Sequence, residues 1–367
     1  MNPTISNISE DGPVYKFTLS GLNVSLANAL RRIILSEIPV NAIITEVSTE
    51  NKCNILINTT RLHNEILKHR LSCIPIHMKE LDVLPEKYQL EIDEKNDTDQ
   101  IKFVTTEHFK IRNKANGNYL TKDEMKRIFP PCEKTNYYID FARLRPKIGD
   151  TIPGEQLKLV ADFSVSNAKS NSMFNVVSLC AYGNTLDLTK IESKWDSIYD
   201  KLVSEGATKE EIDVEKQNYR ILDAQRQYVE NSFDFIIQSI GIYENKEIVK
   251  LACQILNEKL LGLVSAIESR IVPINLSEST MDNCYDITLE NEDYTIGKII
   301  EYFIYEKHFV EDKTVSYIGF KKFHPHSPDS VVRIAFLKPA DEDFVSSYLR
   351  EACIDGSNIF KKIYAMF

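Results

Sequence analysis

The sequence lacks the features that mark several large classes of protein. No run approaches the roughly 18 consecutive apolar residues of a membrane-spanning helix, and the first residues show no basic segment followed by an apolar core. We therefore expect an intracellular protein. Motifs of the forms GxxxxGK[ST], GxGxxG, HExxH and GxSxG are absent, as is a dense aspartate triad for two magnesium ions. The sequence thus predicts no catalytic centre of its own.

The cysteines are dispersed along the sequence, and basic residues are fewer than acidic ones. The seven cysteines never form a CxxC pair, which favours reduced, buried thiols over a disulfide framework or a tetrathiolate zinc site. Acidic residues number 54 against 44 basic ones, for a net charge of −10. Proteins that grip phosphates over a wide face carry a basic excess. Contact with nucleic acid would depend on two small basic patches. One is Arg143, Arg145 and Lys147, and the other is Lys321 with Lys322. The alternative is that both patches are ordinary solvated surface.

A strand followed by an amphipathic helix opens the chain, whose 367 residues and 43% hydrophobic content suit two or three globular domains. The β-prone run VYKFTLSG (14–21) predicts the strand. The run NVSLANALRRIILSEIP (23–39) predicts the helix, with Asn23 or Ser25 as its cap and Pro39 as its end. Its apolar stripe at helical spacing is Leu26, Leu30, Ile33 and Ile34.

The same unit recurs in the last quarter of the chain. YDITLENEDYTIGKIIEYFI (285–304) aligns without a gap on residues 15–34, with Asp293 and Thr295 at the two cap positions. This alignment predicts an internal duplication of strand, polar turn and helix. A chance match between common strand–helix units is the alternative. The second apolar stripe, in the register of the first, is Ile296, Ile300, Phe303 and Ile304.

Each copy also ends in a strand and a long helix. The run FDFIIQSIGI (233–242) predicts a strand before a helix that extends towards Ser265. The run VVRIAFL (331–337) predicts another, before a helix capped by Asp341. Two such modules, each with a long apolar helix to bury, predict an α+β protein whose modules pack together. The stripe of the last helix is Val345, Leu349, Ala352, Ile359 and Ile363.

Two further regions interrupt this pattern. Residues 46–155 mix β-prone runs with polar loops, which indicates an inserted subdomain. Residues 187–230 are charged and helical, with a break at Gly206 and a capping box at Thr208 and Glu211. We expect this helical excursion to face solvent on one side.

One metal-ligand pattern requires weighing. His69, Cys73 and His77 are each four residues apart, a spacing that aligns side chains on a continuous helix. Pro75 interrupts that helix, so ordinary packing is the alternative. The proline-bounded histidines at 324 and 326 face the same choice. A stand-alone metal-dependent enzyme using the first three residues, or an independent DNA-binding regulator, are therefore the competing hypotheses for function.

The Arg31–Arg32 pair is the most unusual feature of the first helix. Adjacent helical positions point about 100° apart, so at least one guanidinium flanks the apolar stripe. An arginine at such an edge can pair with a partner's carboxylate through two hydrogen bonds. A surface arginine whose stem covers apolar side chains is the alternative.

At these residues the sequence resembles the assembly subunit of multisubunit RNA polymerases, represented by the bacterial α chain, the archaeal D chain and the third chain of eukaryotic RNA polymerase II. The resemblance begins with NVSLANALRRIILSEIPVNAI (23–43) and continues with LHNEILKHRLSCIPI (62–76). The segments at 166–182 and 233–256 extend it. The tail from 285 onward resembles the small partner, which is the archaeal L chain or the eleventh eukaryotic chain. Together these motifs cover most of the sequence in the order of the family.

The resemblance implies two RNA polymerase α-type dimerisation modules in one chain, folded as a pseudo-heterodimer. Such a fusion resembles the arrangement in large cytoplasmic DNA viruses, which implies a virion and host-cytoplasm location; a cellular protein would be nuclear. The implied domains are a first module at 1–45 and 156–270, including the excursion at 187–230, an insert at 46–155, and a second module at 271–367.

The resemblance also implies the function. It is that of a non-catalytic scaffold subunit of a DNA-directed RNA polymerase, which docks the two largest subunits and small subunits for transcription. We also expect no cofactor, and the composition predicts no membrane association and no direct grip on nucleic acid. Some relatives hold a metal in the insert, but Cys53, Cys73 and Cys132 are too dispersed here, so we predict no metal.

The site residues follow by matching positions. The helix from Asn28 to Arg32 is expected to face the second-largest subunit, with Arg32 the first candidate for a charged contact. The two apolar stripes are expected to bury against each other between the modules. The predicted partner-binding residues are Asn28, Arg31, Arg32, His69, Arg70 and Pro75. The predicted module interface is Leu26, Leu30, Ile33, Ile34, Ile296, Ile300, Phe303 and Ile304.

Overall fold

The computed structural model describes residues 1–46, 49–149 and 151–367. These residues form two compact units, each described here by itself. The first unit combines residues 1–33, 179–238 and 249–367, and the second unit combines 34–178 and 239–248.

Strands and helices are mixed along the described chain, which confirms the predicted α+β class. The strands are β1 (Thr4–Asp11), β2 (Val14–Ser20), β3 (Val40–Ala42), β4 (Cys53–Asn58), β5 (Tyr88–Lys95), β6 (Lys102–Thr105), β7 (Lys110–Asn113), β8 (Asp140–Leu144), β9 (Gln156–Asp162), β10 (Ser164–Ser166), β11 (Val177–Leu186), β12 (Tyr228–Ser239), β13 (Ile274–Leu276), β14 (Cys284–Leu289), β15 (Val315–Lys321) and β16 (Ser330–Phe336).

The helices vary from a single turn to more than six turns. Among the described residues, none is both long and apolar enough to cross a membrane. The helices are α1 (Val24–Ser36), α2 (Asn64–Ser72), α3 (Val83–Lys87), α4 (Lys122–Ile128), α5 (Leu188–Ser204), α6 (Lys209–Ile221), α7 (Asn245–Glu268), α8 (Tyr294–Ile304) and α9 (Glu342–Tyr364), and a π-helical turn at Tyr305–Glu311 extends α8.

The predicted duplication has the same local structure in both copies. Strand β2 and helix α1 begin at Val14 and Val24, and β14 and α8 begin at Cys284 and Tyr294, so the strand and the helix are displaced by the same length of chain. The polar turn between strand and helix is kept because each helix needs a side-chain acceptor at its first turn. The strand–turn–helix prediction is confirmed at both positions.

The two four-stranded sheets of the repeat also share one strand order. The first is β1-β2-β12-β11 and the second is β13-β14-β16-β15. In each sheet the strand before the short helix pairs with the strand before the long helix. Each long helix, α7 or α9, begins six residues after its strand ends. The predicted cap of α9 is confirmed, because the Asp341 side chain accepts a hydrogen bond from the Phe344 backbone N–H.

Some predicted element ends were wrong by a few residues. Strand β12 begins at Tyr228 and ends at Ser239, earlier than the predicted 233–242 at both ends. There Gly241 adopts a φ of 99°, in the left-handed region that ends regular pairing. Helix α7 continues past Ser265 to Glu268.

The excursion at 187–230 is helical, as predicted. Helix α5 has no buried residue, and Gly206 at φ 79° separates it from α6. The Thr208 hydroxyl accepts from the Glu211 backbone N–H while the Glu211 carboxylate accepts from Thr208, which confirms the capping box. The two helices contact each other through Tyr219, whose hydroxyl donates to the Ile191 carbonyl at 3.0 Å.

The second unit contains the sheet β4-β9-β5-β7 and the strand pairs β6-β8 and β3-β10. Its buried core includes Phe109, whose ring lies 5.4 Å from Phe129 and from Phe141. The insert boundaries of 46–155 stay a prediction, but β4 and β5 both pair with β9 at Gln156–Asp162. The compact unit is therefore wider than the predicted insert.

Candidate partner interface

The repeated helices α1 and α8 begin with the same hydrogen bond. The Asn23 Oδ1 accepts from the Ser25 backbone N–H at 2.8 Å. The Asp293 Oδ1 accepts from the Thr295 backbone N–H at the same distance. Each side chain satisfies an N–H group that the first helical turn leaves unpaired. Of the two predicted caps for α1, Asn23 therefore fills the role.

Arg31 is held against its own helix. Its Nε and Nη2 donate to the Asn28 Oδ1 at 3.0 and 2.9 Å. Burial raises the pKa of the Cys180 thiol to about 12, and the positive charge of Arg31 opposes that rise, so the guanidinium lies near β11. Within the described residues Arg31 forms no ion pair, so its charge stays uncompensated.

Arg32 instead joins the two copies of the repeat. Its Nε donates to the Thr295 Oγ1 at 2.8 Å, and its Nη2 donates to the Asp293 Oδ2 at 2.6 Å. The Arg32 side chain is 34% exposed and that of Asp293 22%, so the pair is partly screened from water. The carboxylate that caps α8 is thus also the partner of a guanidinium on α1.

Helices α7 and α9 carry further contacts between the two halves of the repeat. The Lys259 Nζ lies 3.1 Å from the Glu292 Oε1, just before the cap of α8. The Ser357 hydroxyl donates to the Asn257 Oδ1 at 2.6 Å. A Cβ atom at Gly356 would lie 3.0 Å from Ile299 and 3.1 Å from Leu260. Helix α9 therefore approaches both α7 and α8 closely at this glycine.

The two apolar stripes are buried with one exception. Phe303 is only half-buried. Full burial of a leucine or isoleucine side chain contributes roughly 1.5–3 kcal/mol, so each stripe is a major stabilising feature of its helix. Mutual contact of the stripes stays a prediction. The fully buried members are Leu26, Leu30, Ile33, Ile34, Ile296, Ile300 and Ile304.

The three predicted insert residues lie in the second unit but at two different cavities. His69 and Pro75 line one cavity of about 270 Å³. Arg70 lines another, and its Nε and Nη2 donate to the backbone carbonyls of Phe141 and Asp140 at 2.8 and 2.7 Å. The structure thus brings His69 and Pro75 together and holds Arg70 against β8.

Comparison with protein families identifies the chain. The model of the RNA polymerase Rpb3/Rpb11 dimerisation domain matches residues 16–260, which include most of β2, all of α1, strands β3 to β12 and most of α7. The chain belongs to this polymerase dimerisation family. The predicted resemblance to a polymerase assembly subunit is confirmed at this level.

Individual relatives agree with the family. The rpac1 protein of RNA polymerases I and III from Dictyostelium discoideum is 37% identical over 97 residues, 26% of this chain and 25% of that protein. The RPB3 protein of RNA polymerase II from Schizosaccharomyces pombe is 36% identical over 97 residues, 26% of this chain and 29% of that protein. The polymerase protein Rpo3 from Pyrococcus furiosus is 23% identical over 269 residues, 69% of this chain and 92% of that protein. The chain thus covers less than a third of the length of the two eukaryotic relatives.

The histidine–cysteine pattern does not lie on one continuous helix, as the position of Pro75 predicted. Helix α2 ends at Ser72, so His77 is not on the helix that holds His69. The Cys73 Sγ lies 3.9 Å from the His69 Nε2. His77 packs against Gly241, where an added Cβ would lie 2.8 Å from the His77 Cε1, and burial lowers the pKa of His77. No group of three or more His, Cys, Asp or Glu side chains in the described residues is arranged to hold a metal ion.

The residues that sequence reasoning missed are the acceptors of Arg32. Asp293 and Thr295 were assigned only as caps of the second helix. Their second role requires knowledge that the Arg32 side chain of α1 meets the start of α8, which no local pattern contains. The alignment of the two copies was the one available signal, because it marked both cap residues.

Proposed function

We propose that this chain is a non-catalytic assembly subunit of a DNA-directed RNA polymerase. In this role it docks the two largest subunits, which carry the active site, together with small subunits. The observation that carries the proposal is the family match over residues 16–260, on a chain whose later part repeats the β2–α1 unit of that match. The names of the relatives as polymerase subunits support the same role.

The proposed architecture is a pseudo-heterodimer of two dimerisation modules. The equal strand orders of the two sheets support it, as do the contacts of Arg32 with Asp293 and of Lys259 with Glu292. In the same proposal the first module comprises 1–45 and 156–270, the insert 46–155 and the second module 271–367. Fusion of the modules keeps both at a fixed high local concentration, which favours their pairing.

We further propose that the helix from Asn28 to Arg32 contacts the second-largest subunit, with Arg31 as its main charged contact. Arg32 already has a carboxylate partner in the chain, whereas the described residues give Arg31 only the Asn28 amide. This reverses the order in which the sequence ranked the two arginines. His69 and Pro75 are proposed to shape a second contact surface, with Arg70 positioning β8 beside it.

Co-expression with the two largest polymerase subunits of the same source tests the function. We expect the three chains to purify as one complex; a chain that folds but purifies alone would overturn the proposal. Arg31→Gln should leave the chain folded and lower recovery of the complex severalfold. The matched control is Arg350→Gln on α9, which removes the same charge from an exposed helical position and should assemble as the unchanged chain does.

We also propose a viral source for the chain, on the basis of the proposed fusion of two modules. The chain would then be packaged in virions and present in the host cytoplasm. Mass spectrometry of purified virions tests this location. Detection at a fixed ratio to the largest polymerase subunits is expected, and its absence from particles that contain those subunits would contradict it.

A further inference from the structure

A cavity of about 430 Å³ in the second unit concentrates positive charge in an acidic protein. Four arginines line it: Arg61, Arg70, Arg143 and Arg145. Two carboxylates, those of Asp140 and Glu155, also line it. The chain as a whole has a net charge of −10, so this cavity departs from the surrounding balance.

Among the described residues, a carboxylate neutralises only one of the four guanidinium groups. The Arg145 Nε lies 2.5 Å from the Glu155 Oε1, and the Arg145 backbone N–H donates to the Glu155 Oε2 at 2.7 Å. The Asp140 carboxylate instead accepts from the Tyr137 hydroxyl at 3.4 Å. Among the described residues, the guanidinium groups of Arg61, Arg70 and Arg143 therefore have no carboxylate partner.

Arg70 is fixed without being neutralised. Its two hydrogen bonds go to main-chain carbonyls of β8, which orient the guanidinium but carry no net charge. The fork geometry leaves other N–H groups of Arg70 for a ligand. Arg61 is exposed and forms no hydrogen bond or ion pair with any described residue. Both arginines can therefore pair with a carboxylate that approaches from solvent.

The cavity also has an apolar side. The Arg143 guanidinium carbon lies 5.0 Å above the ring of Phe103, which is 41% exposed. Ile101 lines the cavity and is 56% exposed. A guanidinium on an aromatic ring is held in place while its edge stays free to donate hydrogen bonds. The site thus combines carboxylate-binding groups with an uncovered apolar surface.

We propose that this cavity binds an acidic peptide segment of a protein partner, one that also carries an aromatic or aliphatic side chain. Carboxylates of the segment pair with Arg61, Arg70 and Arg143, and its apolar side chain covers Ile101 and Phe103. A nucleic-acid strand fits less well, because phosphate backbones need a basic surface that follows several nucleotides. The proposal goes beyond polymerase assembly and does not depend on it.

Fluorescence anisotropy of the full chain tests the site directly. The probe is a fluorescein-labelled peptide of sequence Glu-Asp-Phe-Glu-Asp-Phe-Glu, titrated with protein at about 0.1 M salt. We expect saturable binding that weakens as salt is raised, because ion pairs at an open cavity are screened. Arg61→Glu should weaken binding at least tenfold, and Arg61→Lys less, since lysine keeps the charge but loses the paired hydrogen bonds.

Two further variants test whether peptide binding is specific to the cavity. Arg127→Glu makes the same charge change at an exposed position of α4 outside the cavity and should bind as the unchanged chain does. Phe103→Ala should weaken the phenylalanine-containing probe severalfold more than a probe with alanine in its place. Equal losses for Arg61→Glu and Arg127→Glu would overturn the proposal.

Two other outcomes would also overturn it. One is tighter binding of a single-stranded uridine oligonucleotide with the same number of negative charges as the peptide. The other is absence of saturable peptide binding by a chain that co-purifies with the two largest polymerase subunits. That last result would leave the assembly function standing, so failure of the two proposals can be told apart.

Discussion

The two copies of the strand–helix repeat share their apolar residues and caps but differ in the charged residues that follow. Helices α1 and α8 both begin at an asparagine or aspartate cap and bury their stripes. At the positions of Arg31 and Arg32, the second copy has Glu301 and Tyr302. We infer that the shared residues make the fold, whereas the unshared ones decide what each copy contacts.

The unshared residues make different contacts in the two copies. Arg32 reaches across to the cap of α8, whereas Tyr302 packs its ring 5.4 Å from Phe303 on its own helix. Glu301 pairs with Lys298 one turn earlier. Glu301 is thus paired within its own helix, and the Tyr302 hydroxyl donates to the Met1 Sδ at 3.7 Å. The first helix instead sends one arginine to the other copy and holds one at its surface.

A packing difference also separates the copies. Ala27 of the first copy is fully buried, and the aligned residue of the second is Gly297. A Cβ atom at Gly297 would lie 1.9 Å from the ring of Phe320 on β15. The second copy therefore needs a glycine where the first accepts an alanine, because an aromatic ring covers its helix there.

The largest effect is expected where the long helices meet. Gly356→Leu should lower the free energy of unfolding of the first unit by about 1–3 kcal/mol, because a Cβ there already meets Ile299 and Leu260 at 3.0–3.1 Å. Urea titration followed by circular dichroism measures the change.

The matched control is a glycine of α7 with open space around it. A Cβ at Gly262 would meet no atom within 4 Å. Gly262→Leu should therefore be neutral or stabilise by up to about 1 kcal/mol, since glycine is a poor helix former. If both variants had the same effect, close approach of α9 to α7 and α8 would not be what fixes Gly356.

Much of this fold could be predicted from local patterns. The caps and the capping box at Thr208 follow from residue spacing within one helical turn and were found as predicted, and the stripes are buried apart from Phe303. The duplication was visible because both copies keep the same spacing. Strand β1 was missed, since TISNISED has no alternating apolar pattern; its burial is slight along its whole length.

The site was less predictable than the fold. The partners of Arg32 are 261 and 263 residues away, and their approach depends on how whole helices pack. Likewise, the arginines of the 430 Å³ cavity come from segments around positions 61, 70 and 144, which no short motif connects. Contacts between distant segments need the tertiary structure, because chain spacing carries no information about them.

A smaller effect is expected at the contact of Arg32 with Asp293, which distinguishes the first copy from the second. Arg32→Gln and Asp293→Asn should be coupled by about 1 kcal/mol in a double-mutant cycle on unfolding free energy, because the ion pair is partly buried and reinforced by Thr295. Asparagine keeps the cap of α8, so the cycle reports the charge contact. The coupling should fall in about 1 M salt.

The adjacent arginine supplies the control for that cycle. Arg31→Gln removes the same charge one residue earlier but should show coupling to Asp293→Asn of only a few tenths of a kcal/mol. Equal coupling of both arginines would mean that Asp293 senses only the general charge of the helix. That result would contradict a specific role of Arg32 in joining the two copies.

The smallest effect concerns a cross-strand charge pair of the second sheet. Asp286 on β14 faces Arg333 on β16, whose Nε and Nη2 donate to the two carboxylate oxygens at 2.6 and 2.7 Å. The hydrogen bonds from Arg333 lower the pKa of Asp286 below its usual value of 3.8. The aligned pair of the first sheet is Lys16 opposite Ile236, which is not an ion pair.

A lowered pKa in the folded state means that the ionised carboxylate stabilises the fold at neutral pH, and that this stabilisation disappears as the pH falls from about 4 through the folded value. Asp286→Asn should therefore cost about 0.5 kcal/mol at pH 7, given the exposure of the pair, and progressively less below pH 4. Lys16→Gln should show no change over that range, because lysine stays charged throughout it. Unfolding free energies measured at pH 7, 5 and 3 test this prediction. If Asp286→Asn cost the same at all three pH values, the pair would act through packing. The two sheets would then not differ in their response to acid.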